Sequence, residues 1–553
     1  MKIGLISDLP LIQSLNYLFA GIETVLGDHE IIRRPPEYRH ASNLKREEMT
    51  RELILNSDIV IGTIDEMFLR TRESIGKHVP YVWFQCANVT RSFPDMRTNH
   101  KYFKSTDLIV CSCKSELEIA GQFFNNAQLR YVPLVYDDSV FRPVDESVKP
   151  AVKNQIGLNP DDKILLYVGR MELEKNVHTI LKMFGVIHNM VPNLHLVLVG
   201  TPFEQPFTEF GVYPVSVMTT LQKLYHTVGI PEEKIHFIPN LEPGDLCNLY
   251  NAADAVMNLT LLHDENFGLA QVEAMGCGTP VIGTNWGGLK DTIVEGESGC
   301  KISTVATSAL GVKVDWWEGI HKTVAVLNAN SRERRRLREQ SVKHAKERFA
   351  FAPFKSIMES VVSDALKLTA VNGEPLELSD FGRMFWEICI PLRSRLPVYK
   401  LHPQMYAMYQ KLISPYTGSA DANSERDDEL SGQHTICLAS PVAINDDGTV
   451  AVDDLMWPFQ IALPDEYRES IIGALEAMRE EPVIKVERLL NVYLKRESNA
   501  MEALAWMIDS GLVLRTIAGD GSVSLRDLGM RMSTPVYSIQ RVNPMTADLV
   551  VVG

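Results

Sequence analysis

Three short segments hold residues whose types and spacing can act on a phosphorylated, hydroxyl-rich molecule. The first, Leu166-Tyr-Val-Gly-Arg-Met-Glu-Leu-Glu-Lys-Asn-Val177, ends an apolar run at Gly169 and then supplies Arg170 and Lys175. An arginine fork and a lysine ammonium can together hold a diphosphate. Gly169 lets a ligand approach the backbone closely. The second is Leu262-His-Asp-Glu-Asn-Phe-Gly-Leu-Ala-Gln-Val-Glu-Ala-Met-Gly-Cys-Gly-Thr-Pro-Val281. It places Glu265 ahead of a helix expected to begin near Phe267 or Gly268, with Asp264 or Asn266 as its cap and Glu273 inside it. The free amides of Gly268 and Leu269, with the helix dipole, would attract a phosphate or carboxylate. Both glutamates can accept hydrogen bonds from vicinal hydroxyls. The third segment, Gly283-Thr-Asn-Trp-Gly-Gly-Leu-Lys-Asp-Thr292, has Gly287 and Gly288 where the chain turns tightly, beside a ligand or as a plain turn.

These residues must be positioned by strands, and the pattern around them is that of a parallel α/β protein. Apolar runs at Ile3–Ser7, Ile59–Thr63, Tyr81–Phe84, Leu108–Cys111 and Arg130–Leu134 alternate with helical segments such as Arg46–Leu55 and Lys114–Phe124. Continuous apolar strands between helices predict a sheet covered on both faces. Pro143, Pro150 and Pro160 punctuate a linker. The pattern then restarts with strands at Ile164–Val168, His195–Val199, Ile235–Ile238, Ala255–Leu259 and Pro280–Gly283, closing near Lys301–Ser303. In open α/β sheets a ligand sits at the carboxyl ends of the strands, where all three segments fall. Residues 314–369 read as helices, and the basic run Arg332–Arg338 reads as a solvated face.

The chain divides into residues 1–145, an N-terminal Rossmann-like domain; 146–310, a second Rossmann-like domain; 311–369, a helical closing segment; and 370–553, an extension. The extension carries 16 Lys+Arg and 26 Asp+Glu, and so contributes −10 of the net charge of −15. Ala420–Glu429 reads as an exposed acidic loop and Asp446-Asp447-Gly448 as a hairpin turn. Helices at Tyr467–Arg479, Val486–Tyr493 and Ala500–Asp509, then a strand at Leu512–Ile517, suggest a mixed α+β, winged-helix-like module. At 553 residues, with 45% hydrophobic and 23% charged residues, the chain is globular and multidomain. The acidic balance argues against nucleic acid as a partner. No apolar run reaches membrane-spanning length and the N-terminus reads as a strand, not a secretory signal. Eight scattered cysteines without metal-knuckle spacing fit reduced thiols and a cytoplasmic location.

The three segments in order resemble the donor half of retaining glycosyltransferases with the GT-B fold, family 4 of that class. The Gly-Arg followed by Lys matches Gly169, Arg170 and Lys175. The E-x7-E signature matches Glu265 and Glu273, the glycine pair matches Gly287 and Gly288, and Val132–Pro143 is similar to the stretch that closes the N-terminal domain. The resemblance covers residues 1–365. It implies a hexosyltransferase-type enzyme with two Rossmann-like domains facing a cleft and a nucleotide-diphosphate sugar as substrate. By it, Arg170, Lys175 and Glu265 are catalytic. Gly169, Asn266, Phe267, Gly268, Leu269, Glu273, Gly287 and Gly288 bind the donor. Arg170 and Lys175 would hold the diphosphate, Glu273 the ribose and Glu265 the transferred sugar, with no cofactor and no metal.

The N-terminal half departs from the family pattern. Asp8-Leu9-Pro10 stands where many relatives have a Gly-Gly loop, and Gln85-Cys-Ala-Asn88 where many have a histidine; His100 is the nearest histidine in sequence. The acceptor is left open among glycan, lipid, protein and metabolite. The extension is assigned to binding acceptor, protein or another subunit, or to packing alone. A catalytically silent partner of a glycosyltransferase complex and a sugar-nucleotide epimerase are the competing readings.

Overall fold

The computed structural model describes residues 1–7, 13–85, 99–171, 175–202, 217–261, 265–307, 312–368, 373–388, 414–417, 431, 433–439, 442–445, 449–453, 458–481, 483–494, 499–516 and 540–542. Strands β1 (Lys2–Ile6), β2 (Glu30–Arg33), β3 (Ile59–Gly62), β4 (Tyr81–Gln85), β5 (Leu108–Cys111) and β6 (Gln128–Tyr131) form the first sheet. Its order is β2-β1-β3-β4-β5-β6 and every pairing is parallel. The inner strands β3, β4 and β5 are buried throughout, which is why they read as uninterrupted apolar runs. The edge strands β2 and β6 are half exposed and mix charge with apolar residues. That composition hides β2 from sequence reading and shifts the expected β6 toward the more apolar residues that follow it.

The second sheet contains β7 (Lys163–Val168), β8 (Leu194–Val199), β9 (Ile235–Ile238), β10 (Ala255–Asn258), β11 (Val281–Thr284) and β12 (Gly299–Ile302). The order β12-β11-β10-β7-β8-β9 is again wholly parallel. From β7 the chain winds outward through β8 and β9, then returns to the other side of β7 for β10. The crossover direction therefore reverses between β7 and β10, the place where a doubly wound sheet opens a crevice. A short antiparallel hairpin, β13 (Thr304–Ala306) with β14 (Val312–Val314), follows β12 and was not expected from sequence.

Two helices close the pair of sheets. Along Ser331–Phe349, Leu337, Ser341, Ala345 and Phe349 are buried while Arg332, Arg334, Arg335 and Arg336 face solvent, as expected of the basic run. Helix Phe351–Leu368 then returns to the first sheet, where Phe354, Met358, Val361 and Val362 share a core with Ile3, Leu5, Val82 and Val110. Among the described residues no helix is long and apolar enough to cross a membrane.

The extension packs on both units. Residues 373–388 run along the first: the Ser105 amide donates to the Glu374 carbonyl (2.7 Å) and the Asn125 amide to that of Glu377 (3.0 Å). Phe123 meets Phe381 and Phe385 edge-on at 5.3 and 5.2 Å. Beyond them lie β15 (Thr435–Leu438), β16 (Val442–Asn445), β17 (Thr449–Asp453), β18 (Pro458–Ala462), β19 (Val483–Lys485), β20 (Val513–Thr516) and β21 (Gln540–Val542). Helices Arg468–Glu480 and Ala500–Ser510, the helical turns over 486–493 between them and β20 after them fall where three helices and a strand were expected, while β19 was not expected. The sheet order β19-β15-β20 gives the central place to a strand that precedes the helices. This module has its own core, including Ile436, Leu438, Ile471, Leu475, Leu504 and Met507. It docks on the second unit: the Trp316 indole N–H donates to the Leu438 carbonyl (2.7 Å), and the Thr516 hydroxyl to the Asp315 carboxylate (3.1 Å). Residues 420–429 and the turn at 446–448 lie outside the described residues, although β16 and β17 on either side of that turn pair antiparallel.

Candidate active site between the two sheets

A cavity of about 270 Å³ opens where β7 and β10 end. The first unit contributes Leu18, Ser112 and Leu134 to its wall; the second contributes Gly169, Arg170, Lys175, Asn258 and the run Glu265–Gln271. Eight of the sequence-predicted residues therefore meet in one place: Gly169, Arg170, Lys175, Glu265, Asn266, Phe267, Gly268 and Leu269. No described residue of the extension lines the cavity.

Lys175 is set by its neighbour. Asn176 sits in the left-handed region (φ 59°) before helix Val177–Met190, a conformation asparagine tolerates better than most residues. Its side-chain amide donates to the Leu259 carbonyl just past β10 (2.8 Å), and its carbonyl oxygen accepts from the Thr179 hydroxyl (2.7 Å). The loop after β7 is thus tied to the end of β10. That tie brings the Lys175 ammonium to 2.5 Å from the Glu265 carboxylate, an ion pair with little solvent around either group. Arg170, by contrast, is exposed at the cavity mouth.

The Glu265–Phe267 loop is held from behind by the glycine pair. The Gly288 amide donates to the Glu265 carbonyl at 2.8 Å. A Cβ on Gly288 would lie 2.3 Å from backbone atoms of Asn266 and Phe267, so only glycine fits there. The Gly287 amide is taken by the Tyr416 carbonyl (3.0 Å). Neither glycine lines the cavity; both position the loop that does.

The helix that follows spans Leu269–Gly276, with Gly268 at its N-cap in the left-handed region (φ +80°) and no side chain capping it. The expectation that Asn266 caps this helix fails, because Gly268 ends the loop and leaves Asn266 in the cavity wall; Asp264 lies outside the described residues. The uncapped amides and the positive end of the dipole therefore open toward the cavity. One turn in, Glu273 is buried and accepts a hydrogen bond from the Tyr250 hydroxyl (3.3 Å). Burial pushes its carboxyl up to about 8, against the opposing effect of that hydrogen bond. From the first unit, the Tyr17 hydroxyl is buried near Asp137 and Glu273, and desolvation raises it well above the usual phenol range.

Residues 148–334, essentially the second unit, match the family model described as glycosyl transferases group 1. Over those residues the chain is similar to the group 1 glycosyl transferases. The chain resembles D-inositol 3-phosphate glycosyltransferase of Segniliparus rotundus, at 28% identity over 203 residues, 36% of this chain and 42% of that protein. It also resembles the mannosylfructose-phosphate synthase of Agrobacterium fabrum, at 25% over 191 residues, 34% of this chain and 39% of that protein. The chain thus spans less than half the length of these two relatives. In fold it matches HepE of Anabaena, solved with UDP and glucose, at TM-score 0.50 and 15% identity, covering 66% of this chain and 99% of that one. A glycosyltransferase from Rickettsia africae superposes at TM-score 0.52 and 13% identity, over 66% of this chain and 98% of that one. Both likenesses establish the two-domain GT-B fold.

Several residues in or beside the crevice were not found from sequence. Asn176 had a readable signal, an asparagine just before an apolar helical pattern. Gln271 and Leu134 lie within 262–281 and 132–143 but carried no signal of their own, and Tyr17, Leu18, Ser112 and Tyr250 had none, because folding alone brings them in or beside the crevice. Gln85 is buried at the end of β4 and His100 lies in a short 3-10 turn; neither lines the cavity. Residues 8–10 and 86–88 lie outside the described residues.

Proposed function

We propose that this chain is a retaining, metal-independent hexosyltransferase that moves a sugar from a nucleotide-diphosphate donor to an acceptor hydroxyl. The observation that carries this reading is the convergence of Arg170, Lys175, Glu265 and an uncapped helix N-terminus on one crevice between two Rossmann-like units, with Glu273 buried one turn into that helix, behind the cavity wall. Arg170 and Lys175 neutralise the diphosphate, and the Gly268–Leu269 amides take its remaining oxygens, the work a divalent ion does elsewhere. Glu273 receives the ribose and Glu265 the transferred sugar. The bond from the anomeric carbon to phosphate oxygen breaks while the acceptor oxygen bonds to that carbon on the same face. The acceptor proton passes to the departing phosphate oxygen. UDP and glucose in HepE make uridine donors the first to try. The acceptor comes from the first unit's side of the crevice, past Leu18, Ser112 and Leu134.

The test is turnover of a panel of nucleotide-diphosphate sugars by the intact chain in a chelating buffer. One donor is expected to release its nucleotide diphosphate, with the sugar keeping its anomeric configuration by NMR. Lys175→Ala should lower that rate about 100-fold, as loss of one preorganised charge does. No turnover of any donor, or strict dependence on a divalent ion, would overturn the reading.

A further inference from the structure

The cavity wall carries an unmet hydrogen-bonding demand that the charged residues do not explain. Asn266 is 5% exposed and Gln271 1%, and both line the cavity. Among the described residues neither Asn266 Nδ2 nor Asn266 Oδ1 has a hydrogen-bond partner, and Gln271 Nε2 has none either. A buried polar atom left without a partner is destabilising, and a ligand that pairs it removes that cost. The Asn266 backbone is backed by Gly288, whose amide donates to the Glu265 carbonyl at 2.8 Å and whose missing side chain lets it lie against the Asn266–Phe267 peptide.

The chemistry of the orphans selects the ligand. A carboxamide presents one acceptor and one donor group whichever way it is flipped. A phosphate offers only acceptors and would leave the Asn266 oxygen facing anionic oxygen. A hydroxyl both donates and accepts, so adjacent sugar hydroxyls can satisfy Asn266 fully and still receive the Gln271 N–H. Glu265, next in the chain, can only accept hydrogen bonds from the same sugar, which leaves the carboxamides to supply donors as well as acceptors.

We propose that Asn266 and Gln271 are the specificity-determining residues for the transferred sugar, reading its ring hydroxyls and rejecting donors that lack them. The inference rests on the nucleotide-sugar reading above and deepens it. A site built around buried hydrogen-bonding groups discriminates strongly against the analogue missing a hydroxyl, because its polar groups stay unpaired.

The experiment pairs titration calorimetry with donor turnover, using UDP, UDP-glucose and the 2-, 3-, 4- and 6-deoxy forms of UDP-glucose. Wild type is expected to bind UDP, to bind UDP-glucose more tightly, and to turn over at least one deoxy form about 100-fold more slowly. Asn266→Leu and Gln271→Leu should bind UDP normally, lose at least about tenfold affinity for UDP-glucose, and discriminate less between UDP-glucose and that deoxy form. Both free variants should melt no lower than wild type, since each replacement removes a buried orphan; a structural role would lower the melting temperature. Asn266→Ala is the second variant should leucine not fit. Unchanged discrimination in folded variants overturns the inference while leaving the nucleotide-sugar reading intact. Failure of wild type to bind any nucleotide diphosphate or its sugar, UDP, GDP and ADP forms included, overturns both.

Discussion

At the residue scale the site rests on two carboxylates treated in opposite ways. Glu265 is kept near Lys175 at 2.5 Å, with 10% and 15% of the two side chains exposed. Lys175→Ala therefore strands a largely buried charge, and we expect it to cost about 3–5 kcal/mol in urea unfolding. Adding Glu265→Gln to the same chain should restore most of that stability; a double variant no more stable than the single would show that the pair is not coupled. Glu273 is buried without a cation, its carboxyl pushed from 4.5 in the open chain to about 8 in the fold. Between those values the folded state keeps a proton that the unfolded chain has lost. The stability it contributes is complete below pH 4.5 and drains away as pH rises through 8. Glu273→Gln lacks this loss, so it should gain on wild type between pH 5 and 8 by a few kcal/mol, about 1.4 for each tenfold difference in proton affinity between fold and open chain. Parallel pH profiles for the two proteins would contradict this. The charged residues were legible because their order along the chain is itself a signature. The depth of Glu273 was not, since burial depends on Tyr250 and on packing from distant segments.

At the element scale, three loops pack together where β7 and β10 diverge. Asn176 ties the first loop to the end of β10, and Gly288 lets the third lie against the second. Gly288→Ala puts a methyl 2.3 Å from the Asn266–Phe267 backbone, so the Glu265–Phe267 loop must shift. We expect about a 100-fold loss in donor turnover, of the order that a small misplacement of reacting groups costs. Turnover within a few-fold of wild type would mean that the loop is not positioned by this contact. Inner strands were readable almost to the residue, since β3 and β5 are buried apolar runs with sharp polar boundaries. Edge strand β2 and the β13–β14 hairpin escaped because their pairing, not their composition, makes them strands. The glycine pair was legible as a turn, but its role as backing for the Glu265–Phe267 loop needed the folded arrangement.

At the scale of the whole molecule, the extension fastens the two units to each other. Segment Ser414–Thr417 lies between them: the Ser115 hydroxyl donates to the Pro415 carbonyl (2.8 Å), and Lys290 donates to the same oxygen. Tyr416 is fully buried against Trp286, ring centres 5.0 Å apart, and the Lys114 amide reaches the Asp291 carboxylate across the same junction (2.7 Å). Removing everything after Leu368 would uncover Trp286, Phe123 and Trp316 at once. The truncated chain should be insoluble or melt well below the full chain. The milder Tyr416→Ala should cost about 3–5 kcal/mol in unfolding; a loss under about 1 kcal/mol would make the segment incidental. Sequence reading separated the extension by charge and found its helices, yet gave no sign of this fastening, which depends on contacts across more than a hundred residues of chain. The central claim is that the crevice holds a nucleotide diphosphate through Arg170, Lys175 and Glu273. It is tested most directly by calorimetric titration of UDP, GDP and ADP into the intact chain in chelating buffer. One nucleotide should bind at one site per chain, and at least about tenfold more weakly to folded Arg170→Ala and Glu273→Ala. Binding of none of the three, or equal binding by wild type and both variants, would contradict the account.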